Sequence, residues 1–169
     1  MTVLRILQYP DPRLKMAAHK VETFDNALQK IIDDMFETHY QSENCAALAA
    51  TQLDLVDPPH ITVIDFSVEK NQPLCLINAE ITHHEGETYE EEGCMSVGHD
   101  RSVYAKVKRA KKISVRAQDR YGKPFEFDAD GFMAKCIQHE LDHLIGKLYI
   151  EHLSPLKRQR LLIKLKKSG

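Results

Sequence analysis

The segment His139-Glu140-Leu141-Asp142-His143 constrains this chain more than any other. Two histidines four apart project from one face of a helix, one turn above the other, so their imidazoles can grip a single metal ion. Glu140, one residue beyond the first histidine, points about a quarter-turn away. From there its carboxylate can reach a water on the metal without binding the ion itself. That arrangement makes hydroxide at neutral pH and carries its proton. The spacing predicts a metallohydrolase.

With 169 residues, 43% of them hydrophobic and 28% charged, the chain is expected to form a single domain, residues 1–169, with a real core. A formal net charge of -2 gives no global reason to bind DNA. The opening Met1-Thr2-Val3-Leu4-Arg5 lacks the apolar run of a secretory signal, and no stretch is long enough to span a membrane. Cys45, Cys75, Cys94 and Cys136 are scattered rather than packed as a disulfide scaffold, so a reducing, cytoplasmic setting is expected.

Tyr9-Pro10-Asp11-Pro12 must be extended or turning, because each proline disfavours helix before it. A helix is predicted from Asp25, its N-cap, to Tyr40, with Leu28, Ile31, Ile32, Met35 and Phe36 on one stripe. Strands are predicted at Ile61 to Phe66, Leu74 to Ala79, Val103 to Val107 and Ile113 to Ala117, with Tyr121-Gly122-Lys123 turning into Phe125-Glu126-Phe127. The metal helix should start near Asp130 and stop at Gly146, a left-handed cap. Leu148-Tyr149-Ile150 reads as a last short strand, and Pro155 opens a terminal helix. The result is an α+β domain: mixed or antiparallel strands around a central metal-binding helix, with an N-terminal and a C-terminal helix beside it.

Two histidines leave the site one ligand short, since a hydrolytic centre has three protein ligands and an open fourth position. Cys94, after Gly93 in Glu91-Glu92-Gly93-Cys94-Met95-Ser96, is the best third donor, and Gly93 would allow a sharp or bulged backbone there. Cys136 competes, three residues before His139, but from that spacing it should pack beside the histidine. Cys75 reads as a small buried apolar residue. A third patch, Ala46-Ala47-Leu48-Ala49-Ala50-Thr51-Gln52, has small residues that admit another backbone closely and ends on an amide donor. By composition alone it is equally a buried strand or helix segment.

Together the three patches resemble peptide deformylases. That family carries Gly-x-Gly-Leu-Ala-Ala-x-Gln, then Glu-Gly-Cys-Leu-Ser, then Gln-His-Glu-x-Asp-His; the counterparts here are Cys45 to Gln52, Glu92 to Ser96 and Gln138 to His143, in the same order. Tyr9 to Pro12, Tyr121 to Phe125, Ala129 to Gly131 and His143 to Leu156 also look like the family.

The resemblance implies hydrolysis of the formyl group from the N-terminal methionine of nascent polypeptides, with release of formate. Cys94, His139 and His143 would hold one divalent metal, ferrous iron in the first place, with zinc, nickel or cobalt able to substitute. Glu140 would take the proton of the attacking water and pass it to the leaving amine. Gln52 and the Met95 N–H would hold the oxyanion, and Glu92 would orient a ligand histidine. The peptide would lie along Ala46, Ala47 and Leu48, with Glu92, Phe132, Cys136 and His139 around its methionine pocket and Arg101 near its exit. A monomer is expected.

Several residues depart from the family pattern. Cys45 and Ala47 stand where it has glycines, Gly98 where it has proline, and Glu90 where it has an apolar pocket residue. Ala47 is expected to narrow the groove, both by its methyl and because alanine tolerates positive φ poorly. Residues 154–169 interleave Lys157, Arg158, Arg160, Lys164, Lys166 and Lys167 with apolar residues, either a helix docking on the ribosome or a solvated one. His83-His84 reads as an exposed strand pair. Two further functions compete: a zinc peptidase, which needs a third ligand downstream, where His152 is the one histidine; and a non-catalytic peptide- or ribosome-binding relative.

Overall fold

The computed structural model describes residues 1–98 and 103–168. Three helices, α1 (Asn26–Gln41), α2 (Gly131–Leu144) and α3 (Pro155–Ser168), accompany seven strands. These are β1 (Ala47–Ala49), β2 (Ile61–Ile64), β3 (Leu74–Glu85), β4 (Thr88–Glu92), β5 (Ala105–Arg109), β6 (Lys112–Gln118) and β7 (Pro124–Asp130). One sheet runs β1-β2-β3-β6-β7 and a second pairs β4 with β5, and among the described residues every strand pair is antiparallel. The α+β class is as expected, without the mixed pairing that the sequence left open. No helix among the described residues is long and apolar enough to cross a membrane.

The half of the large sheet nearest the site is buried on both faces. On one side α1 brings Leu28, Ile32 and Met35 against Leu48, Ile61, Val63 and Ile77. On the other, α2 brings Ala134 and Ile137 against Ala47, Ile64, Leu76 and Ile113. All four residues of β2 are buried, and Thr62, its one polar side chain, is satisfied by donating Oγ1 to Leu48 O at 2.9 Å. The α1 N-cap is Asp25, whose carboxylate accepts from Leu28 N at 3.0 Å. A third cluster joins Leu7, Val97, Val103, Val107, Tyr149 and Leu161, seating α3 on the small sheet.

Some boundaries move. β3 runs to Glu85, β4 is an additional strand, and β5 starts at Ala105 rather than Val103. Pairing of Glu92 with Ala105 and Thr88 with Arg109 sets that register. Leu148 to Ile150 is not a strand: Tyr149–His152 forms a 3-10 turn. Its i to i+3 bonds (Glu151 N to Leu148 O 3.0 Å, Leu153 N to Ile150 O 3.2 Å) bury Tyr149 and Ile150 without a partner strand. The bulky residues signal burial there, and the local fold satisfies it in a turn.

Gly146 ends α2 in the left-handed region at φ 80°, and a Cβ on it would meet the Lys15 carbonyl oxygen at 2.3 Å. Gly146→Ala should therefore lower unfolding free energy by at least ~2 kcal/mol, the left-handed strain plus displacement of Lys15. Equilibrium urea denaturation checks this; a loss below ~0.5 kcal/mol would show that the helix end is not held against that carbonyl.

Candidate metal centre

The centre sits where α2 faces the open ends of both sheets. Cys94 lies just past β4, after Gly93, and His139 and His143 project from the buried side of α2. The donor atoms of these three buried residues all lie within 4.8 Å of one another. Cys94 Sγ is 3.2 Å from His143 Nε2, and the two Nε2 atoms are 3.2 Å apart. A tetrahedral ion with bonds of ~2.0–2.3 Å spans donor edges of roughly 3.3–3.7 Å. One sulfur and two nitrogens therefore converge at nearly the spacing that a divalent metal needs, and the residues fit the group. Among the described residues no other cluster of this kind occurs. Cys136 stays out of it and lines the adjoining cleft with Phe132.

Each donor is held by its neighbours. Ser96 N lies 3.4 Å from Cys94 Sγ, and Val97 N donates to Cys94 O at 3.0 Å, closing a turn around the sulfur. His139 Nδ1 lies 3.0 Å from Glu92 Oε1. Arg109, buried at the end of β5, donates Nε to Glu92 Oε2 (2.8 Å) and Nη2 to Oε1 (2.9 Å), and Nη1 to Asp142 Oδ2 (2.6 Å). Burial alone would raise the Glu92 carboxyl, but the bonds from Arg109 and His139 hold it down at about 2. Glu92 thus contacts His139 through one oxygen and also lines the cleft. Thr51 Oγ1 donates to His143 O at 2.7 Å, tying the second histidine's turn to the segment before Gln52.

The acid-base and oxyanion candidates face the same cleft, about 310 Å³ in volume. Glu140 is 5% exposed and its Oε2 has no hydrogen-bond partner. Burial pushes its carboxyl up to about 7, with His139 opposing the shift and Glu92 adding to it. Gln52 accepts from Ala49 N at Oε1 (2.9 Å), which turns its Nε2 toward Cys94 Sγ (3.6 Å) and Ser96 Oγ (3.2 Å). The backbone bond decides which end of that amide points at the donors. Met95 lines the cleft too, its carbonyl accepting from Gln8 Nε2 at 2.8 Å.

The expected peptide contacts divide. Ala46, Ala47, Phe132, Cys136 and Glu92 line the cleft. Leu48 does not: strand alternation turns its side chain into the core beneath α1, fully buried. Arg101 lies outside the described residues. Ala47 has no positive φ and is 7% exposed, packed with Ile64 and Leu76. Its strand conformation suits alanine, so the strain expected there is absent. Cys45 lies 3.2 Å from His39 Nδ1, its thiol pushed up by burial. Gly98 adopts φ 98°, which a proline could not. Glu90 points outward, 3.5 Å from Lys135 Nζ. Gly93 lies at a close approach rather than a bulge: a Cβ would meet the Tyr104 ring at 2.7 Å and displace it.

Some participants leave no trace in the sequence pattern. Arg109 ends the run Lys106-Val107-Lys108, where it looks like another solvated cation. Tyr104 and Lys135 line the cleft although nothing near them in the chain marks a site. His152, the ligand that a peptidase would need, lies 2.8 Å from Asp142 Oδ2 and belongs to the Arg109 network. His83 and His84 are exposed on β3, as expected.

Removing Arg109 leaves Glu92 buried without its main partner. Arg109→Met is expected to cost ~3–5 kcal/mol in stability and to weaken metal binding roughly tenfold or more by loosening His139. Chelator competition with zinc, beside urea unfolding, reads both; unchanged metal affinity would show that Glu92 orients His139 unaided.

Comparison with known proteins agrees with this geometry. The polypeptide deformylase family model matches residues 3–159. Peptide deformylase 1 of Coxiella burnetii is 66% identical over 170 aligned positions, covering 99% of both chains. A crystal structure of a peptide deformylase from Legionella pneumophila superimposes with TM-score 0.90 at 44% identity, over 98% of this chain and 95% of that one. The peptide deformylase of Ehrlichia chaffeensis in complex with actinonin gives 0.88 at 34% identity, over 100% and 99%. This chain belongs to the peptide deformylase family.

Proposed function

We propose that the centre of Cys94, His139 and His143 carries out its family's reaction, hydrolysis of the N-formyl group from the N-terminal methionine of new polypeptides with release of formate. The observation that carries this reading is the placing of the buried Glu140 carboxylate, its Oε2 without a hydrogen-bond partner, and the Gln52 amide around three converging donors. When bound, a divalent metal supplies a Lewis acid that acidifies water and draws electron density from the formyl carbonyl. The thiolate among the donors tempers that acidity, so the identity of the ion matters; ferrous iron is the proposed native metal, with zinc, nickel or cobalt as substitutes.

The chain's own groups supply the rest. Glu140, whose carboxyl sits near neutrality, takes the proton of the attacking water and gives it to the methionine nitrogen as the C–N bond breaks. Gln52 Nε2 and the Met95 N–H donate to the carbonyl oxygen as it gains charge. β1 and β4 are each an outer strand of their sheet and both contribute to the cleft, so an extended peptide can lie between them and pair by backbone. Phe132, Cys136 and His139 wall the recess for the methionine side chain. All of these groups come from one chain, and a monomer suffices.

Docking on the ribosome is proposed for the outward face of α3, where Arg158 and Lys166 flank Ile163, 50% exposed. Leu161 on the opposite side is built into the core, so truncating the helix would unfold part of the protein. Lys166→Glu with Lys167→Glu is the cleaner change: it should reduce co-sedimentation with ribosomes at low salt, and undiminished co-sedimentation would count against docking.

Formate release from formyl-Met-Ala by metal-reconstituted protein tests the reaction itself. Glu140→Ala is expected to lower kcat by ~10²–10⁴ while retaining stoichiometric metal by elemental analysis. Near-parental turnover in that variant would remove Glu140 from the mechanism.

A further inference from the structure

A second groove continues the metal cleft past Tyr104, whose ring lines both. It encloses about 320 Å³ between the small sheet and α3. Its floor is apolar, with Val103, Leu153 and Leu161 each under 8% exposed. Tyr89, 52% exposed, forms one wall. Around the rim stand Lys106, Lys157, Arg160 and Lys164, and no lining residue is acidic.

What sets those four cations apart is that they gather around one apolar groove with no acidic residue in its lining. Lys108 and Lys135, on the neighbouring surface, each pair with a carboxylate. Among the described residues, none of the four does. Lys106 and Lys157 instead hold their ammonium groups 5.8 Å from the centre of the Tyr89 ring, and Lys157 Nζ lies 3.1 Å from the Tyr89 hydroxyl. Like charges gathered over an apolar trough repel one another and raise the local potential. A ligand that combines carboxylates with an extended, partly apolar backbone would relieve both features.

We propose that this groove is a subsite for the downstream part of the substrate polypeptide, selecting acidic side chains a few residues beyond the formyl-methionine; the proposal rests on the deformylase reading above. An extended chain advances ~3.3 Å per residue. A peptide anchored at the three metal-binding side chains and leaving by Tyr104 therefore brings its next residues over the cationic rim, with Tyr89 and Tyr104 offering flat surfaces to its backbone and side chains. Selection acts on binding, because the groove lies apart from Glu140 and Gln52.

The test uses the metal-loaded enzyme and three substrates: formyl-Met-Ala, and two longer formyl peptides that begin Met-Ala-Ser and continue with either four glutamates or four lysines. In each protein, kcat/KM on a long peptide is divided by that on formyl-Met-Ala, which is too short to reach the groove. The acidic peptide should exceed the basic one by about tenfold, mainly through KM, and the ratio should fall with added salt. The double variant Lys157→Glu, Arg160→Glu should abolish or invert the preference. Equal ratios for the two peptides, or a preference intact in the double variant, would overturn the proposal. Equal ratios together with an Arg160-dependent mobility shift on a short RNA would assign the groove to nucleic acid instead and also overturn it. No formate from formyl-Met-Ala in the parent enzyme would sink the underlying reaction, an outcome distinct from a lost charge preference.

Discussion

The buried pairing of Arg109 with Glu92 is the contact on which the rest of the centre depends. The sulfur donor comes from the end of β4 and the two imidazoles from α2, segments that share no strand pairing. Arg109 spans the gap: it clamps Glu92 with two parallel bonds and holds Asp142 on α2 with a third. Gln138 reinforces the junction, its amide accepting from Ala110 N and donating to Ala110 O, both at 2.9 Å. A buried charge is stable only where its partners are complete. The small sheet therefore has one position on α2 in which Arg109, Glu92 and Asp142 are all satisfied, and that position brings Cys94 to the histidines.

The same arrangement explains why the cleft is open. Two sheets meet at α2 without joining, leaving an outer strand of each beside the metal-binding side chains. One wall is made rigid by burial on both faces of β1 and β2, the other by the small sheet's attachment to α2 and α3. Between them the polar groups are few and directed. Gln52 is turned by a backbone bond, His139 by a carboxylate, and Glu140 is left with one oxygen unpaired. Such a site spends little reorganisation when charge develops in it.

Residue patterning reveals elements whose character is local. The α1 stripe and its Asp25 cap, the histidine pair on α2 and the Gly146 stop all follow from spacing along one helix, and the structure holds each of them. Patterning fails where burial arrives from elsewhere. Leu148-Tyr149-Ile150 has the side chains of a strand, but among the described residues no strand pairs with it. Leu48 sits in a segment that meets the cleft, yet alternation sends it to the opposite face. Ala47 departs from the family glycine, and the strand conformation around it removes the strain that would make the departure costly.

The amino-acid order by itself determined the chemistry on offer: two imidazoles and a carboxylate on one helical turn, a cysteine after a glycine, an amide closing a small-residue run, and with these the family. Periodicity carries that information because side chains on one element keep fixed directions relative to each other. Only the tertiary structure decided that Arg109 is a buried clamp, that Gly93 makes room for Tyr104, and that a cationic groove extends the cleft. Those outcomes depend on how separate elements dock. Docking is settled by the sum of many packing and charge contacts over the whole molecule, which no single segment's spacing records.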